Sequence, residues 1–193
     1  MLIFNVSASI DENLVKRANE KLKKLDQTIL QFTQEDSKGK VASGTIFISK
    51  PGRFRCQYDS GVPLLIVGNN NTLYLYDYNL EQYSYDKVDK NGLFSLLTNS
   101  DLRSIPSLKI ESTEKFQDYF TINFNDKDRS QNIALSFYNK DDGILESLVI
   151  EEVNKNMIEI KFNKVMHVKN FANHLFYIKN PKVFGAPKKV EIN

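Results

Sequence analysis

Leu14, Ala18, Leu22 and Leu25 recur every three or four residues and make one apolar stripe. That spacing predicts a helix over 10–25. Ser9 followed by Glu12 fits a capping box, in which a hydroxyl and a carboxylate satisfy amides left open at the helix start. From Gln27 onward the pattern shortens to apolar runs broken by Gly, Pro, Asn or Asp, which reads as successive strands. The expected strands are 28–35, 44–49, 54–59, 63–67, 72–78 and 82–85. Leu93, Phe94, Leu96 and Leu97 then return to helical spacing, so 91–104 is expected to hold one or two short helices that Pro106 ends. Strands resume at 108–112, 119–125, 133–138, 144–153, 157–162, 164–168 and 175–178. Asp141-Asp142-Gly143 and Asn154-Lys155-Asn156 have hairpin-turn chemistry.

Alternation distinguishes the strands further. Phe120, Ile122 and Phe124 alternate with Tyr119, Thr121 and Asn123, as on a sheet with one wet face, and Ile158, Ile160 and Phe162 do the same with Glu159 and Lys161. Leu64-Leu65-Ile66-Val67 and Leu73-Tyr74-Leu75-Tyr76 are apolar on both faces, so both faces of the early strands need cover. The two helical segments can cover one face. A cavity between a curved sheet and a small helical lid is one solution. A fully packed core is the other, and pattern alone favours it.

Composition changes little in this picture. A length of 193 residues without linker or internal repeat fits one domain, and 26 basic against 24 acidic side chains give no charge excess of the kind a nucleic-acid binder concentrates. No nucleic-acid partner is expected. The basic cluster Lys21, Lys23 and Lys24 reads as a solvated helix face. One cysteine, Cys56, excludes an intrachain disulfide and a cysteine metal cluster, and His167 and His174 are not read as metal ligands. No apolar run is long enough to span a membrane as a helix. Met1-Leu2-Ile3-Phe4 followed by Val6-Ser7-Ala8 reads as the remnant of a signal peptide, which leaves 9–193 as the domain.

Catalytic patterns are missing. There is no nucleophile elbow and no Gly-rich phosphate loop. Glu151 and Glu152 are adjacent, so on a strand they face opposite ways and cannot act as a pair. Asp126, Asp128 and Arg129 lack the spaced ligands of a calcium loop. The chain is therefore expected not to be an enzyme and to need no cofactor or metal.

The most distinctive block is Gly44 to Tyr58, in which a strand enters a turn at Pro51-Gly52 and a second strand leaves it, with Lys50, Arg53, Phe54 and Arg55 around the tip. With Phe32-Thr33-Gln34 before it, Pro63-Leu-Leu-Ile-Val67 and Leu73-Tyr74-Leu75-Tyr76-Asp77 after it, and Phe176-x-Ile178-x-x-Pro181 near the end, it resembles the LolA family of lipoprotein carriers. The resemblance covers about 11–185 and is most specific over 30–82; the second half matches in pattern only. The sequence departs from the family at Cys56, where an aromatic is usual, at Lys50, where Arg is common, and after Gly68, where three Asn replace an Asp-Gly turn. The segment Asn91–Asp101 also lacks a Pro often found there.

The resemblance implies a mainly β fold with an α lid: an incomplete antiparallel β-barrel, or half-barrel, covered by short helices over an apolar cavity. It implies a monomeric periplasmic carrier of lipoprotein acyl chains, loaded by an inner-membrane ABC transporter and unloaded by an outer-membrane receptor. Lys50 matches the basic position that bonds lid carbonyls, and Phe54 the aromatic at the cavity mouth. By pattern, the expected cavity walls are Leu30, Phe32, Phe47, Leu65, Val67, Tyr74, Tyr76, Leu93, Leu96 and Leu97, each of which could equally be plain core. The alternative is a lipid- or lipoprotein-sensing regulatory protein of the same fold, which usually carries a second domain. An outer-membrane receptor of this fold would need a lipid-bearing cysteine near the N-terminus, whereas Cys56 lies mid-domain.

Overall fold

The computed structural model describes residues 9–70, 72–87, 92–140 and 143–192, without the side chains of Gly92 and Leu93. The expected signal-peptide remnant lies outside the described residues, as does the Asp141-Asp142 part of one turn. Eleven antiparallel strands form one open sheet. In chain order they are β1 (Thr28–Asp36), β2 (Val41–Ser49), β3 (Arg53–Ser60), β4 (Leu64–Asn69), β5 (Thr72–Asp77), β6 (Gln82–Lys87), β7 (Leu108–Lys115), β8 (Tyr119–Asp126), β9 (Gln131–Tyr138), β10 (Leu145–Glu151) and β11 (Met157–His167). Their spatial order is β6-β5-β4-β3-β2-β1-β11-β10-β9-β8-β7, so two meanders join where β1 pairs with β11 and β6 and β7 are left as edges. The helices are α1 (Glu12–Lys23), α2 (Gly92–Thr98) and α3 (Pro181–Phe184), with 3-10 turns at Leu102–Ser104 and Asn173–Phe176.

The stripe on α1 packs as its spacing dictates, with Leu14, Ala18, Leu22 and the following Leu25 all buried. Its start differs from the expected capping box. Asp11 is the N-cap and accepts from the Asn13 amide at 2.8 Å. Ser9 instead uses its carbonyl to accept from the Thr113 amide of β7 at 3.1 Å. A carboxylate adjacent to the first helical residue outcompetes a hydroxyl two residues further back.

Two expected strands, 157–162 and 164–168, are one strand. The break in their pattern is a bulge: Gln31 pairs with Lys164 and Phe32 with Phe162, so Asn163 is the extra residue. The expected strand 175–178 is a correction. Its first two residues belong to the 3-10 turn Asn173–Phe176, and the segment lies across a sheet face without joining a strand. Its apolar side chains pack flat against the sheet.

Both helices lie on one face. α1 packs towards β8 and α2 towards β2 and β3, and their apolar residues join the inward residues of the strands in one core. The other face of β3–β5 is covered by the C-terminal segment after β11, which acts as a strap. Leu175, Phe176 and Ile178 bury themselves against Ile29, Phe47, Leu65, Val67 and Tyr76. This strap supplies the second cover that the two-sided strands require.

Polar side chains of β3 hold it in place. Gln57 imitates a strand partner: its amide donates to the Val190 carbonyl at 2.7 Å and its carbonyl accepts from the Val190 amide at 2.9 Å. Arg55, buried on the same face, donates to the carbonyls of Leu175 at 3.2 Å and Lys188 at 2.8 Å. Burial pulls the Arg55 guanidinium below its ordinary range, and the carbonyl cage meets its hydrogen-bonding needs.

Candidate functional site: an apolar cavity under a short helix

The core beneath α2 is not completely filled. A cavity of about 90 Å³ lies between the sheet and the helix. Its sheet side comes from Phe32, Ile46, Phe54, Cys56, Tyr58, Ile66 and Leu73 on β1–β5, and from Leu148, Ile160 and Phe162 on β10 and β11. Phe94 and Leu97 of α2 close it. These strands are seven consecutive members of the sheet. Laid flat they would extend about 29 Å at roughly 4.8 Å per strand spacing. One small cavity can touch all of them only because the sheet curls around it.

Two glycines make room for the large side chains. Gly44 faces Phe32 across β1 and β2, and a Cβ there would stand 2.7 Å from the Phe32 ring. Phe32 in turn meets Tyr58 edge-on at 5.4 Å, and the Tyr58 hydroxyl donates to Gln34 at 2.8 Å. The Phe32-Thr33-Gln34 motif, Gly44 and Tyr58 thus form one end of the cavity. Burial pushes the Tyr58 phenol upward, so it stays a neutral donor.

Gly68 sits between Phe54 and Leu73 in the strand register. The Phe94 ring fills the notch above it, 2.0 Å from where a Cβ would stand. Phe94 also meets Phe54 edge-on at 5.3 Å. Phe54 is 7% exposed and packs from the sheet side against Phe94, so both rings line the cavity and Phe54 is covered.

Lys50 ties down the far end of the helix. Its Nζ donates to the Asn99 carbonyl at 2.5 Å and lies 3.4 Å from the Ser100 hydroxyl. Its backbone amide donates to Asp26 at 2.8 Å, which fixes the β2–β3 turn against the end of α1. Burial lowers the Lys50 ammonium from its ordinary 10.5 to about 8, partly opposed by the Asp26 carboxylate. Cys56, inside the cavity wall, has its thiol pushed up to about 12 by burial.

The expected walls divide by strand face. Phe32 and Leu97 line the cavity. Leu30 and Leu96 belong to the same core but lie outside the cavity surface. The Leu93 side chain is outside the described residues. Phe47, Leu65, Val67, Tyr74 and Tyr76 lie on the opposite face, beneath the strap. Their neighbours Ile46, Ile66 and Leu73 hold the cavity positions. Stepping by two from Phe54 would have found Cys56 and Tyr58, and the antiparallel register then leads to Ile46 and Ile66.

A wider groove of about 1150 Å³ lies between the β5–β6 turn and the C-terminal segment. Asp77, Glu81, Gln82 and Lys182 line it together with Leu75, Tyr76, Leu80 and Tyr83. Among the described residues no group of His, Cys, Asp or Glu side chains is placed to hold a metal.

An open antiparallel sheet curled around an apolar cavity and lidded by a short helix defines a class of β-rich binding fold. The chain belongs to the family described as outer membrane lipoprotein carrier protein LolA, which matches residues 23–179. A relative in Rickettsia prowazekii, itself uncharacterized, is 32% identical over 88% of this chain and 78% of its own length. An outer-membrane lipoprotein carrier protein of Neisseria meningitidis is 30% identical over 54% of this chain and 53% of its own. The chain thus matches about half the length of that carrier. The fold is shared with a LolA superfamily protein of Nitrosomonas europaea, with a TM-score of 0.54, 9% identity and coverage of 89% of this chain and 99% of that one.

Proposed function

We propose that the protein is a periplasmic carrier that takes lipoprotein acyl chains into the cavity beneath α2. It would receive them as a monomer from an inner-membrane ABC transporter and pass them to an outer-membrane receptor. The observation that supports this reading most is the cavity itself: of its twelve lining residues, Tyr58 is the only one with a hydroxyl, and that group already bonds Gln34. Burying each methylene is worth about 0.8 kcal/mol, so a dry hydrocarbon surface is the driving force such a carrier needs.

Size adds a second element. About 90 Å³ is well below the roughly 300 Å³ at which ligand pockets begin. A cavity of this size is too small for an acyl chain, so in this reading loading requires α2 to lift. Lys50, the tie at its end, sets how readily that happens. Lys offers a compact ammonium where Arg would offer a planar fork, which makes for a single, more easily broken anchor. The two-sided cover explains how the sheet stays intact during this motion, because β3–β5 remain clamped by the strap from behind.

Native mass spectrometry of the protein purified from a periplasmic extract tests the reading directly. Co-purified lipoprotein or acylated peptide is the expected result. In parallel, a synthetic triacylated lipopeptide should displace a fluorescent fatty-acid probe saturably, whereas the unacylated peptide should not. Absence of both acyl species and saturable displacement would overturn carrier function.

A further inference from the structure

The strap has a second, outward face. Leu175, Phe176 and Ile178 point into the sheet, while Tyr177 between them is 57% exposed. The loop that follows is held at both ends, by these anchors and by the bonds from Tyr78, Arg55 and Gln57 to the Pro187, Lys188 and Val190 carbonyls. Between the two ends, α3 presents Val183 at 70% and Phe184 at 66% exposure. Leu80, on the turn across the groove, is 64% exposed. The backbone on both sides of these outward apolar side chains is held by hydrogen bonds and buried anchors.

Charge follows the same face. After β11 the chain carries Lys169, Lys179, Lys182, Lys188 and Lys189 against Glu191, with Asp77 and Glu81 facing Lys182 across the groove, although the whole chain has a net charge of only +2. Lys179 Nζ lies 5.3 Å from the Phe184 ring centroid, so apolar tip and cation are adjacent. Lys182 and Lys188 are exposed on either side of that tip.

We infer that this face, with Val183 and Phe184 at its tip and Lys179, Lys182 and Lys188 around it, docks the protein reversibly on an anionic phospholipid surface. A few protruding side chains flanked by lysines suit a fluid interface: rings and methyls enter the headgroup boundary while ammonium groups stay at the phosphates. An acidic protein surface would meet the same charge, but it would need a fitted pocket for each protruding tip. The site lies on the sheet face opposite α2 and the cavity, so docking leaves the lid free. The inference stands apart from carrier function, because it rests on the strap alone.

The full chain is tested by flotation with vesicles of phosphatidylethanolamine and phosphatidylglycerol in a 3:1 ratio, and with phosphatidylcholine vesicles, in low salt. Binding to the anionic vesicles alone is expected. Each of Lys179→Gln, Lys182→Gln and Lys188→Gln should lower partition about fivefold, the equivalent of about 1 kcal/mol per lysine near such a surface. Val183→Ser with Phe184→Ser should lower it tenfold or more. All these positions are exposed, and an unchanged melting curve confirms that the fold persists. The chain has no Trp, so Phe184→Trp gives a single probe whose emission should shift blue on anionic vesicles. Equal binding to neutral vesicles, or an unmoved Trp emission with undiminished binding by the serine variant, would overturn the assignment. So would equal affinity for soluble polyglutamate without a blue shift, which would point to an acidic protein partner.

Discussion

Gly68→Ala should open the lid without dismantling the sheet. The added Cβ would meet Phe94 carbons at 2.0 and 2.3 Å. Ordinary carbon contacts are about 3.5 Å or more, so the ring must retreat by roughly 1.5 Å. Gly68 cannot yield, because β4 is bonded to β3 on one side and β5 on the other. Phe94 can, because it rides on a seven-residue helix. Overpacking of this kind costs about 1–3 kcal/mol. If the strain is relieved by lifting α2, the open population rises by about 5- to 150-fold.

Cys56 reports the change, since it is the only cysteine and lines the cavity floor. Its thiol is held at about 12 while covered, so almost no thiolate is present at neutral pH until α2 lifts. The rate of labelling by a thiol reagent at pH 7.5 should rise by the same 5- to 150-fold, with the main melting transition nearly unmoved. Unchanged labelling together with a melting temperature lowered by the full strain would refute the reasoning. It would mean that Phe94 is a fixed part of the core and α2 is no lid.

Lys50→Met should also speed Cys56 labelling, because it removes the bond to Asn99. Since burial lowers the Lys50 ammonium from 10.5 to about 8, the closed form binds fewer protons than the open or unfolded form between those values. Wild-type stability relative to Lys50→Met should therefore rise as pH increases from 8 towards 10.5 and stay level below 8; paired melts across that range check the sign. Phe54→Glu should lower stability by several kcal/mol or force α2 away, because Phe54 is almost fully covered and a carboxylate there loses its water. A variant with wild-type melting and wild-type Cys56 protection would show that the Phe54 site is already wet.

The helix stripe, the alternating strands and the helical interlude after β6 were all legible, because each is a local period. What the period could not convey was pairing. The bulge at Asn163 looked like a strand boundary, since a single inserted residue reverses the alternation just as a turn does. The strap looked like a strand because Phe176 and Ile178 alternate with Tyr177. It lies across the sheet face, bound by Arg55 and Gln57 side chains, and sequence shows no such partner.

The site was legible where a motif fixed it and ambiguous where only hydrophobicity did. Phe32, Lys50 and Phe54 each reach the cavity or its lid because a glycine, a turn or a cation constrains the local choice. Phe47, Leu65 and Val67 were expected there because they are as apolar as Ile46 and Ile66, and a strand buried on both faces carries no polar residue to reveal its parity. That ambiguity has a physical origin in the fold. Both faces of these strands are covered, one by the main core around the cavity and the other by the apolar anchors of the strap. Parity then has to be read from a residue that only one side tolerates. Arg55 is one: its guanidinium finds carbonyls under the strap but would meet only hydrocarbon in the cavity. Fixing Arg55 on the strap side puts Phe54 and Cys56 on the cavity side. The β3–β4 register then carries the assignment to Ile66 and leaves Leu65 and Val67 behind.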